Sequence, residues 1–290
     1  MIPDPTHSQV FVPSGFTAGI EGPACDAAGN LYAVNFERQG TVGRVTPEGQ
    51  ASVFLELPEG SVGNGIRFDS QGQMLIADYV THTVWRYDPR TQSLEPFAQQ
   101  PDMNQPNDLA IGANDLVYCS DPNWANDTGK LWRVNLDGSS QLLEAGMGTT
   151  NGIEVSSDET LLYVNESVQR TIWAYDLPRS GKVCNKRLLI QFEDHGLDGM
   201  RIDVAGNLYV TRFGKGMIAK VSPGGEVLSE IQVSGSRPSN VCFGGPDGRT
   251  LYVTIVDHGG VDSFRTEHPG REWALHQRPS GGLERNHADR

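Results

Sequence analysis

Residues 64–79 read NGIRFDSQGQMLIADY, and residues 198–213 read DGMRIDVAGNLYVTRF. Each has a polar opening residue, a short apolar run, a polar turn and a second apolar run. The same pattern opens at Glu21, Asn64, Asn107, Asn151, Asp198 and Asn240, at intervals of 43, 43, 44, 47 and 42 residues. A fixed period of ~40–50 residues with several strands per unit is the mark of propeller blades. The expected fold is all-β: a six-bladed β-propeller of four-stranded blades. In the second copy the strands are expected at 65–69, 73–79, 83–88 and 94–99, where turn residues punctuate the apolar runs.

The sixth copy runs out of strands after Phe264. The opposite end of the chain supplies a replacement. Phe11, in SQVFVP (8–13), precedes Glu21 by ten residues, as Phe54 precedes Asn64 and Phe97 precedes Asn107. The N-terminal strand therefore has the register of an outer strand and is expected to close the ring, which removes an exposed sheet edge. One domain over 1–273 and a polar tail over 274–290 follow.

The chain has 290 residues, with 36 acids against 23 bases and a net charge of −13. That balance argues against a nucleic-acid partner and an anionic membrane surface. No apolar run approaches the ~20 residues of a spanning helix. The start, MIPDPTHSQVFVPSG, shows no basic region followed by an apolar stretch, so the cytoplasm is the expected compartment. Cys25, Cys119, Cys184 and Cys242 match no zinc spacing; Cys25, Cys119 and Cys242 lie in strand-like runs, and the plain reading is buried free thiols in a reducing compartment. No GxSxG, HExxH or Walker-type loop is present.

In a propeller the first strand of each blade lines the central channel. The six opening residues should thus form one ring near a mouth. The second strands return there, bringing Asp78, Asp121, Asn165, Glu166, Arg212 and Asp257 or His258. Carboxylate and carboxamide oxygens suit a hard divalent cation. Without one, Glu21 and Asp198 would repel each other, and only a subset of the six can be ligands. A plainer reading makes Asn64-Gly65, Asn151-Gly152 and Asp198-Gly199 hairpin turns. Against it, Glu21, Asn107 and Asn240 hold the same place without such a pair. His195 is either an ordinary loop residue or a proton shuttle. Trp124, in DPNWAND (121–127), is expected to cap the mouth. Trp85, Trp132 and Trp173 recur in third strands and read as packing residues.

EGPACDAAGNLY, QPNDLAIGANDLVYCSDPNW, NGIEVSSDETLLYVNES, DGMRIDVAGNLYVT and RPSNVCFGGPDGRTLYVT together resemble the SMP-30/gluconolactonase/luciferin-regenerating-enzyme family over roughly residues 10–265. The resemblance implies a six-bladed propeller with one divalent metal in its channel and lactone-hydrolysing activity. It places metal ligands at Glu21, Asn151 and Asp198, and a fourth ligand or substrate contact at Asn107. Sugar lactonases of the family often have Arg where this chain has Gln105. The expected reaction is metal-assisted opening of a lactone by water activated either on the metal or by Asp198, which is both a ligand and the expected base. Asn107, Gln105, Asn64, Asp121 and Trp124 would face the substrate. Ca²⁺ is the first choice of ion, with Zn²⁺, Mg²⁺ or Mn²⁺ as alternatives. A phosphotriesterase or esterase on the same ring, a metal-free condensing enzyme of the strictosidine-synthase type, and a non-catalytic binding platform are the other readings.

Overall fold

Successive side chains along a strand alternate between opposite faces. The computed structural model, which describes residues 6–276, has strands β1 to β24, numbered along the chain. They form six antiparallel sheets of four strands each. In the second blade the strands are Gly63–Phe68, Met74–Asp78, Thr83–Asp88 and Ser93–Gln99, within two residues of the expected bounds. The ring closes as the sequence register requires. Strand β1 (Gln9–Val12) pairs antiparallel with β24 (Gly260–Arg265), Val10 lying opposite Asp262. The last blade therefore holds both ends of the propeller in one sheet.

Six hydrophobic clusters, among the described residues, fill the interfaces between neighbouring blades. One packs Tyr32 and Val34 of the first blade against Ile66, Met74 and Ile76 of the second. Another, at the closing seam, packs Val12, Phe16 and Ile20 against Cys242, Tyr252 and Val261. Each blade buries both faces against its neighbours, so the stabilising hydrophobic area forms an annulus around the channel. Cys25, Cys119 and Cys242 are buried free thiols, as expected. Cys184 is not: it opens the outer strand β17 (Cys184–Gln191), most of whose residues face solvent.

Four of the six inner strands share one irregularity. Between Gly63 and Ile66 of β6 (Gly63–Phe68) three steps oppose two on the partner strand. The same extra residue occurs between Thr150 and Ile153 of β14 (Thr150–Val155) and between Pro238 and Val241 of β22 (Pro238–Gly244). In β2 (Phe16–Cys25) the register also shifts between Glu21 and Ala24. These are β-bulges, which bend a strand and re-aim its side chains. They sit at the opening residue of the repeat and the residue after it. The Asn-Gly pairs are therefore strand residues, and the hairpin-turn reading fails for them. Glycine is needed for a different reason. A Cβ at Gly22 (φ +57°) would stand 1.9 Å from the Asn64 carbonyl oxygen, and one at Gly152 would stand 2.5 Å from the Asp198 carbonyl oxygen.

The segment after β24 crosses the far end of the channel. Val204 N donates to Pro269 O (2.9 Å), and helix α1 (Arg271–His276) follows. Of the tail expected from 274, residues 277–290 lie outside the described residues. No described helix is long and apolar enough to cross a membrane.

Candidate functional site

The bulges and the inner strands bring the ring residues together. Glu21 Oε2 accepts hydrogen bonds from Gly22 N (2.7 Å) and from Asn240 Nδ2 (3.0 Å). Asp198 hydrogen-bonds to Glu21 through their side chains, and Asn151 lies within hydrogen-bonding reach of it as well. Glu21 and Asp198 therefore face each other, although 177 residues separate them in the chain. Both lie deep in the molecule yet keep some accessible surface along the channel.

Burial raises the proton affinity of both acids. Glu21 is pushed up to about 7 mainly by burial, with the nearby Asp108 adding to it. Asp198 is held well above the carboxylate range by burial and by the Glu21 charge. Among the described residues, neither acid forms an ion pair, whereas the buried Asp108 nearby pairs with Arg67 and Arg201. Two carboxylates sharing a site without a counter-charge are costly to ionise together.

The carboxamides around them offer oxygen. Ser167 Oγ gives its only proton to Leu197 O, so it must accept from Asn151 Nδ2 (3.0 Å). That fixes the amide and leaves Asn151 Oδ1 free. Asn64 Oδ1 is buried with no hydrogen-bond partner. The Asn107 backbone is pinned by Ser120 O (2.9 Å) and Gly65 N (2.8 Å), and its side chain makes no hydrogen bond to a described residue. Asn240 differs, since its Oδ1 accepts from Val241 N (2.9 Å) and only its amide N–H groups reach the channel. Among the described residues no cluster of three or more His, Cys, Asp and Glu forms a metal site. The donor set here is instead two acids with neutral oxygens, and it fits a hard divalent cation: an unmatched double negative charge, an orphaned buried oxygen at Asn64 and a freed one at Asn151.

The second-strand ends mostly serve the scaffold. Asp121 is fully buried, and both its oxygens are committed. Oδ1 accepts from Asn104 N (2.7 Å) and Gln105 N (2.6 Å), and Oδ2 accepts from Trp132 Nε1 (2.9 Å). It thus positions the loop carrying Gln105 and Asn107. Asp78 does the same for its own hairpin and for Trp85 Nε1 (3.0 Å). Trp132 is buried and Trp85 and Trp173 are half-buried in their blades. Arg212 is buried against Phe192, 3.9 Å from the ring centroid, and pairs with Asp194. His195 is exposed beside Asp194 (3.3 Å). His258 contacts Ser234 Oγ (2.9 Å) and Pro13 O (3.1 Å), next to the incoming β1. Trp124 is 44 % exposed on the hairpin between β11 (Val117–Asn123) and β12 (Thr128–Val134).

Sequence reasoning missed a second layer further down the channel. Asp108 accepts a hydrogen bond from Arg201 Nη1 (3.0 Å) and pairs by charge with Arg67 Nη2 (3.3 Å). Glu272 of α1 forms ion pairs with both arginines, its carboxylate 2.7 Å from Arg67 Nε and 3.9 Å from Arg201 Nε, without hydrogen-bond geometry. Arg271 of the same helix reaches Glu154 (3.5 Å), Glu159 and Ile111 O (2.9 Å). The signal was present: Arg67, Glu154 and Arg201 each stand three residues after a ring position, in NGIRF, NGIEV and DGMRI.

With this geometry in place, the comparison with known proteins is direct. The family described as SMP-30/Gluconolactonase/LRE-like region matches residues 20–257. The chain belongs to that family. Among its relatives, a gluconolactonase of Zymomonas mobilis is 31% identical over 271 residues, covering 81% of this chain and 75% of the relative. A 6-deoxy-6-sulfogluconolactonase of Pseudomonas putida is 28% identical, covering 74% and 75%. Among solved structures, a calcium-binding regucalcin from Agrobacterium tumefaciens superposes with a TM-score of 0.79 at 21% identity, over 92% of this chain and 95% of that one. At that identity the likeness speaks to the fold alone. The six-bladed ring inferred from the repeat period is the architecture of this family member.

Proposed function

We propose that this SMP-30/gluconolactonase family member hydrolyses lactones, using a divalent cation held by Glu21, Asn151 and Asp198 with Asn107. The observation that carries the reading is the Glu21–Asp198 pair, two buried acids in contact without an ion-pair partner among the described residues. The names of the relatives, gluconolactonase and 6-deoxy-6-sulfogluconolactonase, supply the substrate class. A bound cation would polarise the lactone carbonyl and stabilise the negative charge that develops on its oxygen.

The chain's own residues do the rest. Asn107, its carboxamide free and its backbone fixed on both sides, orients the substrate or completes the oxygen set. Gln105, held by Asp121, presents its side chain from the same loop. Asp198 takes a proton from the attacking water as the new C–O bond forms. It returns that proton to the ring oxygen when the endocyclic C–O bond breaks, which leaves a hydroxy acid. Burial and the Glu21 charge raise the basicity of Asp198 well above that of an ordinary carboxylate. Contact with a cation would lower it again, so the roles of ligand and base oppose each other at this carboxylate. Asn64, with its buried carboxamide oxygen, and Trp124, exposed on the β11–β12 hairpin, would face the substrate.

Chelator-treated protein, assayed for acid release from aldonolactones and aliphatic lactones, tests this. Activity should return with one of Ca²⁺, Mg²⁺, Mn²⁺ or Zn²⁺. Hydrolysis that survives exhaustive chelation, or turnover of phosphotriesters and simple esters with none of lactones, would overturn it.

A further inference from the structure

The layer below the ring contains two arginines, and a cation site directly above two guanidinium groups needs an account of their charge. Arg67 and Arg201 are each 1 % exposed and come from the second and fifth blades, which face each other across a six-membered ring. Asp108 bridges them from the third blade. One carboxylate leaves one guanidinium unmatched. Glu272 is the second: its Oε1 meets Arg67 Nε at 2.7 Å and its Oε2 approaches Arg201 Nε at 3.9 Å. It lies outside residues 20–257, on a helix that follows the last strand. The remaining charges of the layer are Arg271 against two carboxyls, Glu159 and Glu154. Burial, with Glu272 adding to it, pushes Glu154 up to about 7, so at neutral pH it is only partly charged and leaves the second guanidinium mainly to Glu272.

We infer that Glu272 is a positioning residue for the cation: by neutralising the second arginine, it keeps the full double negative charge of Glu21 and Asp198 available to a divalent ion. The inference rests on the cation reading above. Two features of the structure connect the layers. Asn240 Nδ2 reaches both Glu21 Oε2 (3.0 Å) and Asp108 Oδ2 (3.4 Å), joining ring and lower layer by hydrogen bonds. Asp108 also directly follows the ring residue Asn107 in the chain, so one short segment supplies both layers. Charge in the lower layer is therefore felt at the ring, as low screening in a buried channel requires. Glu272 itself is ionised. Burial opposes its charge, but Arg67 and Arg201 outweigh burial and hold the carboxyl below its usual range.

The test is a charge cycle read as affinity for Ca²⁺ and Mn²⁺ by isothermal titration of chelator-treated protein. Glu272→Gln keeps the shape and removes the charge, and it should weaken binding on the order of tenfold. Glu272→Asp keeps the charge and should stay within about threefold of the parent. Adding Arg67→Gln to Glu272→Gln removes the surplus positive charge, so the double variant should recover most of the lost affinity. A purely structural role predicts the opposite for the double variant, which lacks both partners of the pair. Stoichiometry reports the folded fraction separately from affinity. Unchanged affinity in Glu272→Gln, or a double variant weaker than the single one, overturns the inference and leaves the cation reading standing. A parent protein that binds neither ion overturns both.

Discussion

Glu21 and Asp198 carry more of the argument than any other residues, because their cost and their use are the same fact. Two acids in contact destabilise the cation-free protein. Asp198→Asn removes that repulsion while keeping the hydrogen bonds. It should raise the melting temperature of the chelated protein by a few degrees, abolish the shift on adding a divalent ion, and lower kcat/KM by about 10³-fold or more. A variant that melts lower than the parent in chelator would refute the pairing. The pH dependence has a definite sign. Glu21 holds its proton up to about 7 in the fold, against 4.5 for an ordinary glutamate. Protons thus bind the folded state more tightly than the unfolded one, and Glu154, also pushed up to about 7, adds in the same direction. These contributions are complete below about pH 4.5 and are lost as pH rises to about 7. Calorimetry in chelator should show that decline, and the gain from a saturating divalent ion should grow from pH 5 to 8. The ring was legible because a period repeats the same polar place six times. Arg67, Glu154 and Arg201 were not, since strict alternation sends residues three apart to opposite faces. The extra bulge residue, as between Thr150 and Ile153, turns Asn151 and Glu154 to the same channel.

At the level of elements, the inner strands are defined by how closely they approach. Gly22 N–H, Gly65 N–H and Gly199 N–H all point to neighbouring groups of the ring, Gly65 to Asn107 O (2.8 Å) and Gly199 to Ser239 O (2.7 Å). No side chain fits between them. Gly22→Ala would combine a left-handed backbone with a Cβ 1.9 Å from the Asn64 carbonyl oxygen. It should cost about 2–4 kcal/mol and displace Asn64 from the ring, as urea titration and divalent-ion binding would show. Gly224→Ala, whose Cβ would meet nothing nearer than Ser222 Oγ at 3.6 Å, is the control and should change stability by less than about 0.5 kcal/mol. The dipeptides that read as turns are therefore glycine-demanding for packing reasons, a distinction that composition alone does not carry. The strands of the second blade were legible to within two residues, because apolar runs and turn residues agree there. Helix α1 was not: six residues give less than two turns of periodicity, and its position is set by Arg271 and Glu272 meeting partners from distant blades.

For the whole molecule, closure decides whether the ring holds. Every blade interface has its own hydrophobic cluster, so opening one seam leaves the other five intact. The seam between the last blade and the first is the one that depends on residues from both ends of the chain. There Val12 is buried, Phe11 packs on Tyr252 with ring centroids 5.0 Å apart, and Ser8 Oγ and Ser234 Oγ both bond to Asp262. The register of Phe11 with Phe54 and Phe97 made this closure readable, since an outer strand displaced to the N-terminus keeps its spacing to the next ring residue. Deleting residues 1–12 would strip the partner from β24 and expose an unpaired edge. It would also uncover apolar surface at Tyr252 and Val261. The deleted protein should melt at least about 5 °C lower and associate in proportion to its concentration, visible by light scattering. Because Glu21, Asn151 and Asp198 are set by inner strands, the fraction that remains folded should still bind a divalent ion. A deletion that leaves both melting and association unchanged would mean the inner strands alone hold the circle. The clusters between blades would then be sufficient, and the shared sheet a late addition to an already stable ring.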